Sequence, residues 1–278
     1  MPAITGIDHL LIDVEDLEGA RATWHRLGFT MTPRGRHVGR GTGNQCAMLP
    51  QVYLELIGIV DEAEYAANAF RRTRVRGTGL TAVAVAMDDA DEAVRRLRDA
   101  GLPVEAPRDL SRLLEADEGV LGSRFHIILL PEGTSPAITM FLCAHLTPEL
   151  IRRPAWLTHD NGALALQSVA VPVADPAGMA EAYRRLLGPG AVTMTDALVT
   201  VRIGGTSLVL TRPQDMEMLF PYLQPEDAPP PAVVTVRIAN LNASAEVLAA
   251  RHVPFRRDLR SLAIGSEDAC GVALVFAV

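Results

Sequence analysis

Between Ile4 and Ile59, two side chains that could do chemistry stand in apolar runs where neither belongs on hydrophobic grounds. His9 lies in Ile7-Asp8-His9-Leu10-Leu11-Ile12, and Glu55 lies in Val52-Tyr53-Leu54-Glu55-Leu56-Ile57. An imidazole and a carboxylate are each metal donors and each proton carriers, and a carboxylate buried in such a run needs a partner. Each residue is the obvious partner of the other. Stepping outward, the elements that must hold them are a first strand, a short helix, a crossing and a closing strand. Asp16 can cap a helix that runs to about His25, on which Leu17, Ala20, Trp24 and Leu27 recur at three to four residues and mark one apolar face. Gly28 ends that helix. Residues 32–44 hold five glycines or prolines among arginines and read as a polar loop, followed by a short strand from Gln45 to Leu49. The unit is βαβββ.

The same order of elements recurs. Starts near residues 7, 80, 166 and 233, each an apolar strand followed by Asp or Asn and then a helical pattern, indicate one supersecondary unit used four times. A polar link from His145 to Gly162 separates the second unit from the third and sets the boundary between an N-terminal domain, 1–150, and a C-terminal domain, 151–278. Pro225 to Pro231 forms a proline-rich connector into the fourth unit.

Composition excludes several classes of function. The chain has 278 residues, 49% hydrophobic and 21% charged, enough for two domains that each bury a core. No apolar run approaches the ~20 residues that span a bilayer, so no membrane association is expected. A formal charge of -7 argues against nucleic-acid binding. Its one basic cluster, Arg71 to Arg76, reads as a solvated link between units. Cys46, Cys143 and Cys270 are scattered and odd in number, which fits reduced thiols. The start Met1-Pro2-Ala3-Ile4 lacks the basic and apolar regions of a signal peptide, and a cytoplasmic location follows by default.

Two pairs of βαβββ units resemble the vicinal oxygen chelate superfamily, which includes glyoxalase I, extradiol dioxygenases, methylmalonyl-CoA epimerase and bleomycin-resistance proteins. The similarity is strongest to glyoxalase-like domain proteins. It is carried by Ile7-Asp8-His9-Leu10, Leu27-Gly28-Phe29-Thr30, the loop residues Thr32 to His37 and Gly41 to Asn44, Tyr53-Leu54-Glu55-Leu56-Ile57, and the link residues His145 to Leu150 and His159 to Ala163. The resemblance implies an α+β fold in which paired units curl into open half-barrel sheets. It also implies a divalent metal in the cup, held by the first and last strands of a unit and chelating vicinal oxygens of a small-molecule substrate. Carried over by position, His9 and Glu55 are the metal ligands. The equivalent positions elsewhere, Ala82 in the second unit, Ser168 in the third and Thr235 in the fourth, are empty of ligands, as are the closing strands. The C-terminal domain therefore reads as degenerate.

Two ligands where the superfamily's enzymes use three or four leave three readings open. In the first, His9 and Glu55 recruit His37 or His126 as a further ligand, with the metal drawn from Fe, Mn, Ni, Zn and Mg. The activity is then that of a metal-dependent lyase, isomerase or dioxygenase on an oxygen-rich compound. In the second the cup is metal-free, with His9 as base and Glu55 orienting it. In the third the protein is a non-catalytic binder that sequesters its ligand. Glu55 and His37 are the candidate catalytic groups, and Arg34, Asn44 and His126 the candidate substrate contacts. Arg34, Arg36 and Arg40 of the crossing suit an anionic compound. The plain alternatives are a half-buried structural His9, a solvent-facing Glu55, a surface loop at His37 and a turn-capping Asn44. His145 and His159 read as pins holding the link to the first domain, and His25 and His252 as helix-end residues. Formation of a homodimer is left open.

Overall fold

Alternating apolar residues and well-capped helices produce the expected elements in chain order. The computed structural model describes residues 4–68, 78–221 and 230–278. The basic cluster at 71–76 and the connector residues 225–229 lie outside the described residues. The first unit comprises β1 (Gly6–Asp13), α1 (Leu17–Arg26), β2 (Gly35–His37), β3 (Thr42–Met48) and β4 (Tyr53–Ile59), followed by the short α2 (Glu62–Ala67). The second comprises β5 (Gly79–Ala86), α3 (Ala90–Asp99), β6 (Arg108–Ala116), β7 (Gly119–Leu129) and β8 (Thr139–His145). The third comprises β9 (Ala163–Pro172), α4 (Pro176–Leu187), β10 (Val192–Met194), β11 (Leu198–Ile203) and β12 (Thr206–Thr211), then α5 (Met216–Leu219). The fourth comprises β13 (Val233–Ile238), α6 (Leu241–Ala250), β14 (Arg256–Arg257), β15 (Ser261–Ile264) and β16 (Ala273–Ala277). No helix among the described residues is long and apolar enough to cross a membrane.

Helix starts follow the capping residues read from the sequence. Asp16, Asp89 and Asp175 each accept a hydrogen bond from a backbone N–H in the first turn of the helix that follows, and so does Asn240. The apolar faces of α1 and α3 then bury Leu17, Ala20 and Trp24, and Ala90, Ala93, Val94 and Leu97.

Units pair through their first strands. β1 runs antiparallel to β5, with β4 parallel to β1 and β8 parallel to β5 on the outer sides, and β9 and β13 repeat the arrangement with β12 and β16. In the first domain β2 also pairs with β6, which closes the order β1-β4-β3-β2-β6-β7-β8-β5 into a barrel. The second domain is an open eight-stranded sheet ending on β10 and β14. The difference has a local cause. β6 is nine residues long and reaches β2, whereas its counterpart β14 is two residues long, pairs only with β15 and does not reach β10. The expected open cup is therefore realised in the second domain, and the first curls further until it closes.

The two domains share one core built from helix faces and sheet backs. Phe29 stacks with Trp24 at 5.2 Å and meets Phe276 of the second domain edge-on at 5.8 Å. Gly28, at φ 89°, fits where Asn161 of the link packs, since a Cβ there would sit 2.8 Å from the Asn161 Cβ. Asn161 also donates from Nδ2 to the Leu27 carbonyl at 2.9 Å.

Candidate functional site

A cavity of about 170 Å³ opens inside the barrel, and His9, His37 and Glu55 all line it. Each is placed by its strand. The β1–β5 register shifts between Ile7, opposite Val85, and His9, opposite Ala84, so Asp8 is the extra residue of a bulge. The bulge lets two consecutive side chains, Asp8 and His9, both be buried. Glu55 lies opposite Leu11 on β4, and Asn44 and His37 come from the two strands beyond it.

The side chains form a connected network. Asp8 Oδ1 lies 2.5 Å from His9 Nδ1 and 2.9 Å from His145 Nε2. Burial works to raise the Asp8 pKa, but the hydrogen bonds from His145 and His9 outweigh it and hold the carboxyl well below its ordinary value. An ionised Asp8 only accepts, so His9 Nδ1 carries the proton it donates. The His9 ring is fixed by stacking on Tyr53 at 4.4 Å and by the edge of Phe141 at 5.8 Å. Its other nitrogen, Nε2, faces Glu55 Oε2 at 3.3 Å. His37 Nε2 faces the other oxygen, Oε1, at 3.6 Å, too long for a hydrogen bond, while Nδ1 meets the Thr42 hydroxyl at 3.0 Å. Asn44 Nδ2 donates to Glu55 Oε1 at 2.5 Å.

Charge decides what this arrangement can hold. Burial pushes the His37 pKa down to about 4, so the ring is neutral near pH 7. Glu55 is held below its ordinary value: burial opposes ionisation, and His9, His37, Arg112 and the Asn44 hydrogen bond together prevail. Two imidazole nitrogens thus face one carboxylate. In the tautomer that carries its proton on Nδ1, an imidazole offers the Nε2 lone pair to a cation placed beside the carboxylate. Their donor chemistry fits a divalent cation, because cis donors around a metal at about 2.1 Å stand roughly 3 Å apart. Asp8, Thr42 and Asn44 would be the outer partners that fix ligand orientation. A second group, Asp8, Cys143 and His145, brings donor atoms within 4.8 Å of one another. There the Asp8 oxygens already serve His9 and His145, and burial raises the Cys143 thiol well above its ordinary value. A protonated thiol is a poor ligand, so this group acts as the support of His9.

The profile described as a glyoxalase-like domain matches residues 7–187, more than half of the chain. The chain belongs to this glyoxalase-like family. Among solved structures, a Staphylococcus aureus protein described as hypothetical has a TM-score of 0.70 at 12% identity, covering 97% of this chain and 98% of its own. A mutant 4-hydroxymandelate synthase from Streptomyces coelicolor has 0.55 at 14% identity over 100% and 93% of the two chains. The Mn(II)-bound glyoxalase from Novosphingobium aromaticivorans has 0.53 at 11% identity over 99% and 82%. At these identities the likeness is one of fold, that of the vicinal oxygen chelate superfamily. No curated protein matches the sequence significantly.

In this glyoxalase-like chain the residues singled out from sequence divide into two sets. His9, Glu55, His37 and Asn44 come together as described. His126 does not: it faces outward between the inward Phe125 and Ile127 and pairs with the exposed Asp109 at 3.1 Å. Arg34 is absent from the cavity wall, and Arg36 binds Glu64 at 3.1 Å outside it, while Arg40 does line it. The stretch 32–44, read as loop, carries β2 and the start of β3, and buries Gly35, His37 and Asn44 because pairing to β6 covers it. His159 is a structural pin. Its Nδ1 accepts from the Thr30 N–H at 3.0 Å, and its Nε2 lies 2.7 Å from the Met48 carbonyl, to which it donates. His145 does more than pin the link, since it shares Asp8 with His9. Asp8 and the buried Arg112 of the cavity wall escaped the sequence reading. Asp8 could have been noticed as the acid next to His9; Arg112 sits in a strand whose alternation, Leu110-x-Arg112-x-Leu114, was its only signal.

Proposed function

We propose that the protein is a metal-dependent enzyme of lyase, isomerase or dioxygenase type that acts on a small oxygen-rich compound inside the first barrel. His9, His37 and Glu55 hold the cation. The observation that carries the reading is the pair of buried imidazole nitrogens facing the two oxygens of one buried carboxylate at 3.3 and 3.6 Å. The fold shared with a Mn(II)-bound glyoxalase supports it. A two-histidine, one-carboxylate set suits Fe(II) and Mn(II) as well as Zn(II) and Ni(II).

A divalent cation in this position supplies Lewis-acid polarisation of a ligand oxygen. The chain's own residues do the rest. Asp8 aims His9 by holding Nδ1–H, Thr42 sets His37, and Asn44 holds one Glu55 oxygen. Leu11, Phe125, Ile127 and Phe141 wall off water, which strengthens each polar contact made inside. Without a cation, Glu55 and the neutral His37 are the groups able to take a proton from a compound bound beside them; with a cation on His37 Nε2 that role falls to Glu55.

Elemental analysis of untagged protein tests the reading. About one metal per chain is expected in the wild type, falling to a small fraction in His9→Ala, His37→Ala and Glu55→Ala. A wild type that contains no metal and takes none up on addition refutes it. The barrel would then be a ligand-binding cup working without metal.

A further inference from the structure

Arg112, near the middle of β6, is 2% exposed and yet lines the cavity. Burial opposes its charge and the ionised Glu55, beyond contact distance, favours it, but its direct hydrogen-bond partner is weak. Nη1 donates to Cys46 Sγ at 3.7 Å, and burial pushes that thiol up to about 12, so it stays neutral. The Phe125 ring centre lies 5.5 Å from the guanidinium carbon. Nε has no hydrogen-bond partner, and among the described residues no carboxylate lies within 4.0 Å of the group. A guanidinium presents five N–H donors in a planar fork shaped for carboxylate, and one weak acceptor together with the more distant Glu55 leaves that fork without a carboxylate in contact.

The chain also makes room for this side chain. Gly35, on β2 opposite Leu114, would with a Cβ press on Asn44 Oδ1 and stand 2.9 Å from Arg112 Cδ. The same small residue therefore admits both the Glu55 holder and the arginine. Arg112 stands directly across from His37 in the β2–β6 register, and the rest of the wall includes the apolar Leu110, Phe125, Ile127 and Phe141. A volume of about 170 Å³ is small beside the ~300 Å³ and more of drug-sized sites.

We propose that Arg112 anchors the carboxylate of a small organic acid whose apolar body lies along Leu110, Phe125, Ile127 and Phe141 and whose remaining oxygen reaches His9, His37 and Glu55. The last clause rests on the metal reading above; the anchor itself does not.

Phenylacetate and phenylacetamide, alike in shape and different in charge, serve as probes. Each is titrated calorimetrically into wild type, chelator-treated and Mn(II)-loaded, and into Arg112→Met and Arg112→Lys. The acid is expected to bind wild type in either form about 10- to 100-fold more tightly than the amide, the discrimination of one charge-assisted forked contact. Arg112→Met erases the preference and Arg112→Lys keeps part of it, with far-UV circular dichroism and metal content as in the wild type. Equal binding of acid and amide by wild type, failure of the acid to bind it, or a preference that survives in Arg112→Met overturns the assignment. A wild type that takes up no metal but still selects the acid through Arg112 supports the anchor and removes only the metal reading.

Discussion

Asp8→Asn isolates the support of His9 from the ligands themselves. The substitution keeps size and shape and removes the charge that two histidines share. Asp8 is buried and its oxygens meet His9 Nδ1 at 2.5 Å and His145 Nε2 at 2.9 Å. Two hydrogen bonds to a charged group contribute about 1.5–3 kcal/mol each, and an asparagine retains one neutral bond of about 1 kcal/mol, so the net loss is about 2–5 kcal/mol. Its amide must also point N–H at one ring nitrogen that already donates. The assay is urea unfolding of chelator-treated protein at pH 7, followed by metal titration of the folded variant. Metal affinity should fall about 10- to 100-fold, because His9 loses the partner that orients it. The acid limb changes too. A carboxyl whose folded pKa is depressed contributes stability that is present above its ordinary value of 3.8 and lost as pH falls below it. Wild type should therefore lose stability below about pH 4 more steeply than Asp8→Asn. A double-mutant cycle with His145→Gln should show strong coupling, since both substitutions break the same bond. A stability change under about 1 kcal/mol, with metal affinity unchanged, would refute the claim that Asp8 supports the site.

Gly35→Ala should destabilise the protein by about 1–3 kcal/mol through overpacking against Asn44 and Arg112, read by denaturant unfolding, and should weaken phenylacetate binding in parallel. Burial lowers the pKa of both His37 and His159, so in metal-free protein stability should decline as pH falls below the ordinary 6.5, by up to about 1.4 kcal/mol per pH unit for His37. The sign follows from a depressed folded pKa: the unfolded chain takes the proton first. For His37 the decline continues to about pH 4, and His159→Gln should make the decline that starts below pH 6.5 shallower in thermal melts. His159→Gln should also lower stability at pH 7 by about 1–3 kcal/mol, for the loss of its contacts to Thr30 and Met48. Phe141→Glu, which puts a carboxylate where the second unit has a ring against His9, should lower stability by several kcal/mol in the metal-free form and regain part of it on metal addition.

His9 and Glu55 were legible because a donor in an apolar strand is out of place, and a period of elements repeated four times made the two-domain fold legible as well. What escaped depended on pairing with distant segments. β2 is three residues long with a glycine start, and it becomes a strand only because β6, some seventy residues on, covers it. His37 therefore looked like loop. Arg112 went unread because only closure of the barrel through the β2–β6 pairing buries it in the cavity wall. Asp8 is visible only through the bulge, since strict alternation would send it opposite to His9. His126 failed by the same rule of two: one residue along β7 in either direction, the side chain faces the cavity.

The asymmetry of the chain follows from where closure happens. The registers Leu11 to Glu55 and Ala84 to Phe141 are equivalent pairs in the two units of the barrel, so the ring of Phe141 occupies the place of a second carboxylate. Polar groups from the first unit then face apolar and aromatic groups from the second, with Arg108 and Arg112 as the second unit's charged contributions. A cavity built in this way has a polar end and an apolar wall, which orients whatever enters it. In the second domain the equivalent sheet face is covered, with Met216 and Phe220 packed on Ala170, Val233, Ala263, Ala273 and Val275, and Thr235 lies directly across from Ser168 where ligands would stand. An open sheet filled by its own side chains has no room for substrate. Its strand β16 instead joins the core around Trp24 and Phe29 through Phe276. That packing fixes α1 and hence β1, the strand that carries His9. The second domain thus contributes rigidity to a cavity that none of its described residues lines.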